Sequence, residues 1–245
     1  MGGGHYDGIY LDNVVNGRID NNTSDNNSYG IHLGDSNNNI LDNNTCSNNL
    51  LGGIFLNSST NDTIENNTCD DQHPLWGASI ILENSDNNSI YNNTSSNSWD
   101  GIFLTNSDNN SIYNNTSENI GQSIILVNSD NNSIYNNTSS NGGAGIDLYE
   151  SNNNIIYNNT CENNGYHGIY LHDSFNNHIY HNNLVNNATQ ASDDGSNYWD
   201  DGYPSGGNYW SDYTGSDADG DEIGDTPYNL TGDNNQDRYP LMNPI

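Results

Sequence analysis

The sequence predicts an all-β protein, a parallel β-helix solenoid of about eight turns with an irregular C-terminal cap. Three observations carry this. A Gly/Ser-Ile-x-Leu tetrad recurs at Gly8–Leu11, Gly30–Leu33, Gly53–Leu56, Ser79–Leu82, Gly101–Leu104, Ser123–Leu126, Gly145–Leu148 and Gly168–Leu171. The step from each tetrad Leu to the next core apolar residue is always eight positions: Leu11 to Ile19, Leu33 to Leu41, Leu56 to Ile64, Leu82 to Ile90, and so on to Leu171 and Ile179. Apolar residues make up only 31% of the chain, but they fall on these recurring positions, which overrules the disorder that composition alone suggests.

Taken in order, residues 1–7 form a short N-terminal segment, 8–190 the solenoid and 191–245 the cap. Ile and Leu at i and i+2 of each tetrad give the period of a strand. Asn, Ser, Thr and Gly throughout argue against helix. Such short strands stack in parallel, each turn ~4.8 Å above the last. Length variation falls between the second core residue and the following tetrad, so one corner carries the loops. The longest lies at 70–78 and includes His73, Pro74, Leu75 and Trp76. Asn, about a fifth of the chain, recurs in pairs such as Asn43-Asn44, Asn92-Asn93 and Asn136-Asn137. Asn tolerates the left-handed conformation of a sharp corner, and stacked amides can hydrogen-bond as ladders.

This repeat resembles the right-handed parallel β-helix repeats of the NosD-like family, in the wider carbohydrate-binding and sugar-hydrolase β-helix group. Archaeal cell-surface proteins are rich in such repeats, and the segment after Ala188 resembles their C-terminal segment, folding over the last turn. The resemblance covers Gly8 to about Asn187. It implies the fold strongly, whereas the same rod serves lyases, hydrolases, adhesins and surface layers.

Formal charge is −30 with two cations, Arg18 and Arg238, so nucleic acid and anionic membranes are poor partners. No stretch reaches the ~20 apolar residues of a membrane span. Residues 1–5 lack the apolar core of a signal peptide. Glycosylation sequons begin at Asn21, Asn26, Asn43, Asn57, Asn61, Asn66, Asn87, Asn92, Asn109, Asn114, Asn131, Asn136, Asn158, Asn187 and Asn229, pointing to an extracellular, cell-surface glycoprotein.

Several clusters are candidates for chemistry. Asp217, Asp219, Asp221 and Asp225, with the carbonyl of Ile223, have the alternation of a calcium loop, so structural Ca²⁺ stapling the cap is expected. Glu222 and Tyr228 stand where an EF-hand needs Gly and Glu. Cys46 and Cys69 are vertical neighbours, close enough for a disulfide or a buried thiol pair; Cys161 has no partner. Asp20, Asp42 and Glu65 form an acidic stripe that can bind a cation or act as an acid/base pair, and is more often a solvated face. NosD-like proteins are linked to copper-site assembly, which draws attention to His167, His172, His178 and His181, although their spacing is no ligand motif. Two stripes point outward. One holds Tyr10, His32, Phe55, Ile81, Phe103, Ile125, Asp147 and Tyr170. The other, Tyr91, Tyr113, Tyr135, Tyr157 and Tyr180, can stack sugars or pack on a neighbouring molecule.

Pectate-lyase-like rods need a cationic base, and neither arginine has suitable company. The reading is therefore a non-enzymatic structural subunit of a surface layer, sheath or filament, self-associating into a homopolymer through its ends and aromatic stripes. A carbohydrate-binding adhesin, or a polysaccharide lyase or hydrolase, is the alternative.

Overall fold

A computed structural model describes residues 6–73, 75, 77–232 and 235–245. The N-terminal five residues, and Pro74 and Trp76 of the long loop, lie outside the described residues. The chain coils into a parallel β-helix with three long sheets. Among the described residues the first has ten strands, running from Ile9–Asp12 through Gly52–Asn57 and Asp100–Thr105 to His167–His172, Thr189–Asp193 and Thr231–Gly232. The second and third have eight strands each, mostly of three residues, such as Ser133–Tyr135 and Thr138–Ser140.

Register follows the sequence repeat. Ile102 pairs with Ile124 and Leu104 with Leu126 on the first sheet, and Ile112 with Ile134 on the second. Leu104, Ile112 and Leu126 are fully buried, so residues eight apart share one dry interior. Each turn leaves its apolar residues half-covered alone; stacking buries them.

The corners explain the asparagines. The first Asn of each pair is left-handed: φ is 54° at Asn43, 55° at Asn92 and 55° at Asn136. A non-Gly residue there is uncommon, and Asn is among the best tolerated. The second Asn is buried and forms a continuous ladder. Asn44, Asn67, Asn93, Asn115, Asn137, Asn159 and Asn182 each donate from Nδ2 to the Oδ1 of the next rung at 2.9–3.0 Å, ending on Asn208. Nδ2 also reaches back to a core carbonyl one turn below, as Asn137 does to Ile112 O at 2.9 Å.

A second buried ladder runs through Asn39, Asp62, Asn88, Asn110, Asn132, Asn154 and Asn177. Asp62 breaks its chemistry. Asn39 donates to its Oδ1 at 3.1 Å, but Oδ2 has no partner, where equivalent amides donate to a carbonyl. Burial pushes the Asp62 carboxyl up to about 6, against the hydrogen bonds from Asn39. A carboxyl raised in the fold loses stability as pH rises from its unfolded value of ~4 through about 6. Asp62→Asn should therefore stabilise by roughly 2 kcal/mol above pH 7 and by little at pH 4. Urea midpoints at the two pH values measure this; equal gains at both would refute it.

The structure adds a ninth turn beyond the eight tetrads. Thr189–Asp193 continues the first sheet, with Ala191 beside Ile169 and Asp193 beside Leu171. Gln190-Ala191-Ser192-Asp193 hides the tetrad because Asp replaces the core Leu. Asp193 is nonetheless buried, accepting from Trp199 Nε1 at 2.8 Å, Asn197 Nδ2 at 2.8 Å and Gly195 N at 2.9 Å. Two Asn-Tyr-Trp words build the lid. Asn197 tops the second ladder and Asn208 the first, while Trp199 and Trp210 plug the core end. Asp237 closes over them, accepting from Asn208 N at 2.7 Å and Trp210 Nε1 at 2.8 Å.

Of the two readings of Cys46 and Cys69, the disulfide is corrected and the buried thiol pair is what the structure holds: the two are register partners, and both are free and buried, as is Cys161. Each sulfur sits against its own turn's glycine: a Cβ at Gly30 would lie 2.9 Å from Cys46 Sγ, and one at Gly53 3.0 Å from Cys69 Sγ. The thiols fill the space those glycines leave. Hydrogen bonding to Cys46, then burial, pushes the Cys69 thiol up, away from the reactive thiolate.

Candidate functional site

Outward positions of the first sheet form one column: Tyr10, His32, Phe55, Ile81, Phe103, Ile125, Asp147, Tyr170 and Ser192. The loop corner overhangs its middle. Leu51, Leu75 and Trp99 from that corner, with Tyr29, Phe55, Ile81 and Phe103, line an open groove of about 590 Å³. Glu83, Asp100 and Thr105 supply polar groups beside the aromatic floor. That volume lies within the ~300–1,000 Å³ of small-molecule sites.

Above the groove the column turns polar. Asp147 is half-buried between Ile125 and Tyr170, and its carboxyl makes no hydrogen bond among the described residues. Burial pushes it up to about 6; the charge of Asp100 adds to this and His172 opposes it. Burial also pushes Asp100 up to about 6, against the N–H of Gln122. The Tyr170 ring stacks on His167 at 4.7 Å, and its hydroxyl lies 3.5 Å from His172 Nδ1. That nitrogen is also 2.6 Å from Asp194 Oδ2, which orients the ring. Burial lowers the His167 pKa and raises that of Tyr170, to which Asp194 and Asp147 contribute further. An unpartnered carboxyl held at about 6, one strand away from an imidazole that a carboxylate orients, can donate and accept protons.

The tyrosine stripe is present but its faces are used up. Tyr91, Tyr113, Tyr135, Tyr157 and Tyr180 stack at 4.8, 4.9, 5.0 and 5.5 Å with planes within 11°. Only edges and hydroxyls remain for a ligand, whereas a sugar ring needs an open aromatic face. The acidic stripe is the lower end of the same column: Asp20, Asp42 and Glu65 run up into Tyr91. Arg18 pairs with Asp42 and Tyr91 donates to Glu65, so these carboxylates are already engaged.

In the acidic loop, Asp217, Asp219 and Asp221 bring oxygens within 4.8 Å of one another. Asp225 stands apart, accepting from Ala218 N at 2.9 Å and Ser216 Oγ at 3.0 Å. Ile223 is drawn into an antiparallel bridge with Leu241. Sequence spacing could not show that Asp225 closes the loop itself. Among the sequon asparagines, all but Asn57 and Asn187 are exposed. Asn43, Asn66, Asn92, Asn114, Asn136 and Asn158 stack one per turn, too close at ~4.8 Å for a glycan on each.

The sequence model of the family described as periplasmic copper-binding protein (NosD) matches residues 2–138 and 77–215. The chain belongs to the NosD family. Its fold is similar to the periplasmic alginate epimerase AlgG, with TM-score 0.65 and 22% identity over 74% of this chain and 49% of that one. It is also similar to the Dettilon tailspike protein, with TM-score 0.62 and 22% identity over 75% of this chain and 43% of that one. A tailspike mutant of E. coli bacteriophage HK620, solved with a pentasaccharide, gives TM-score 0.60 at 13% identity over 84% of this chain and 43% of that one. This NosD chain therefore spans half or less of the length of each. No curated protein matches it in sequence.

These findings correct the expectation that the chain is not an enzyme. An epimerase and tailspike proteins are built on this fold, so the rod itself is compatible with catalysis. Copper fits poorly. His172, His178 and His181 each bind a separate protein oxygen, Asp194 Oδ2, Asp200 O and Ser205 O, and the three cysteines are buried. Among the described residues, the group able to surround an ion is the all-oxygen Asp217–Asp219–Asp221, a hard donor set unlike the imidazole and sulfur that favour copper. No helix among these residues is long and apolar enough to cross a membrane.

Proposed function

We propose that this NosD protein binds and processes a polysaccharide on the outward face of its first sheet. It works outside the cytoplasm, as the family's periplasmic description supports. The observation that carries the proposal is the unpartnered, half-buried carboxyl of Asp147, in line with an open aromatic groove on one rod face. Phe103 and Trp99 stack sugar rings, Asp147 serves as general acid, and Tyr170 with the Asp194-held His172 completes the proton-transfer set. The test is polysaccharide turnover by the wild-type chain and by Asp147→Asn, followed by product analysis; equal turnover ends the proposal.

For the acidic loop the expectation narrows to three carboxylate ligands, with Asp225 left out. Calcium should raise the melting temperature of the wild-type chain by a few degrees and leave Asp219→Asn unmoved. Identical wild-type melts in calcium and in chelator would remove the ion.

A further inference from the structure

We propose that the polysaccharide taken by this face is uncharged, and that the reaction on it is hydrolysis. This rests on the reading of the first sheet as a carbohydrate site.

The argument begins with the cations. The chain has two, Arg18 and Arg238, and no lysine. Neither is on the first sheet. Arg18 opens a second-sheet strand and contacts Asp20 and Asp42. Arg238 is in the cap, with Nε 2.9 Å and Nη2 2.6 Å from the carboxylate of Asp200. Two histidines of the face, His32 and His172, are already matched to carboxylates, and burial lowers the pKa of a third, His167, which favours its neutral form. His32 Nδ1 is 2.7 Å from Asp7, and His172 lies between Asp194 at 2.6 Å and Asp173 at 3.4 Å. Even protonated, these rings leave no net positive charge for a ligand.

A polyuronate brings one negative charge per sugar. On this face it would meet Glu83 and Asp100 in the groove and Asp147, Asp173 and Asp194 above it. The whole molecule carries −30, so its field repels polyanions at long range as well. An uncharged polymer meets the opposite situation. Its apolar ring faces have Phe103 and Trp99 to cover. Its hydroxyls are donors, and carboxylates are acceptors that make stronger hydrogen bonds than neutral groups do. The feature that excludes a uronate therefore recruits a neutral sugar.

The reaction follows from the substrate. Removing the proton at C5 of a sugar, as in epimerisation or elimination, relies on an adjacent carboxyl to make that proton acidic, which a neutral sugar lacks. Hydrolysis needs only acid and base. Asp147 gives its proton to the glycosidic oxygen as the bond from that oxygen to C1 breaks. The oxygen of one water bonds to C1, and the proton it sheds goes to His172, held by Asp194. One water is consumed per bond cleaved.

Affinity electrophoresis of the full chain tests this, with soluble β-glucan, galactomannan and α-glucan as uncharged probes and alginate and polygalacturonate as charged ones, each in calcium and in chelator. Retardation by at least one uncharged polymer is expected, weakened at least tenfold in Trp99→Ala/Phe103→Ala, a pair at the protein surface. Neither polyuronate should retard the chain in either buffer. Retardation by alginate or polygalacturonate, including retardation that appears only with calcium as a bridge, overturns the neutral-substrate inference and leaves the carbohydrate site standing. Failure of all five polymers removes the carbohydrate site itself and this inference with it.

Discussion

Asp147→Asn should lower polysaccharide cleavage by about 10²–10⁴-fold, the usual contribution of a positioned acid or base. The amide keeps the shape of the carboxyl and cannot give up a proton. The wild-type activity should fall as pH rises through about 6, because a carboxyl whose burial holds it near that value loses its proton there. That limb should vanish from whatever activity remains in the variant. Stability should move the other way. Burying a carboxyl with a raised pKa costs stability above its titration range, so Asp147→Asn should melt no lower than wild type at pH 8. Full activity in the variant, or an unchanged pH limb, would show that Asp147 only decorates the face.

The second large effect is structural. Asn137→Ala should cost roughly 3–6 kcal/mol, since each buried polar group left unpaired costs ~1–3 kcal/mol. Asn137 Oδ1 accepts from Asn115 N and Nδ2, both at 3.0 Å, while Nδ2 donates to Ile112 O at 2.9 Å and Asn159 Oδ1 at 3.0 Å. Truncation strands these partners inside the rod. Asn136→Gly is the matched control: its neighbour is exposed, has φ of 55°, and glycine adopts that conformation without strain. In a solenoid the loss is felt by adjacent turns, so hydrogen exchange should accelerate around Ile112 and Ile134 before either end. A urea midpoint for Asn137→Ala within ~0.5 kcal/mol of the control would mean that the amide ladder contributes little.

Much of the rod was written plainly in the chain. A spacing of eight between Leu104 and Ile112, repeated in every turn, leaves one way to bury both, because period-two strands can only stack in phase. The loop corner was equally legible, since all insertions fall in one interval. The ninth turn was not. Asp193 occupies a leucine position, and its burial is tolerable only because Trp199, Asn197 and Gly195 arrive to donate to it.

The candidate site divides in the same way. Asp147 was visible as the one carboxylate in an otherwise aromatic and aliphatic column, but nothing local marked it as reactive. The second stripe looked the better sugar platform, and stacking closed its ring faces.

By itself the sequence determined the coil, its period and which side chains face in, because a repeat with one apolar pattern has a single consistent packing. Tertiary structure alone decided which outward rings keep open faces, which carboxyl lacks a donor and which cysteines stay free. Those properties depend on distances between side chains one or more turns away, and a linear pattern carries no record of them.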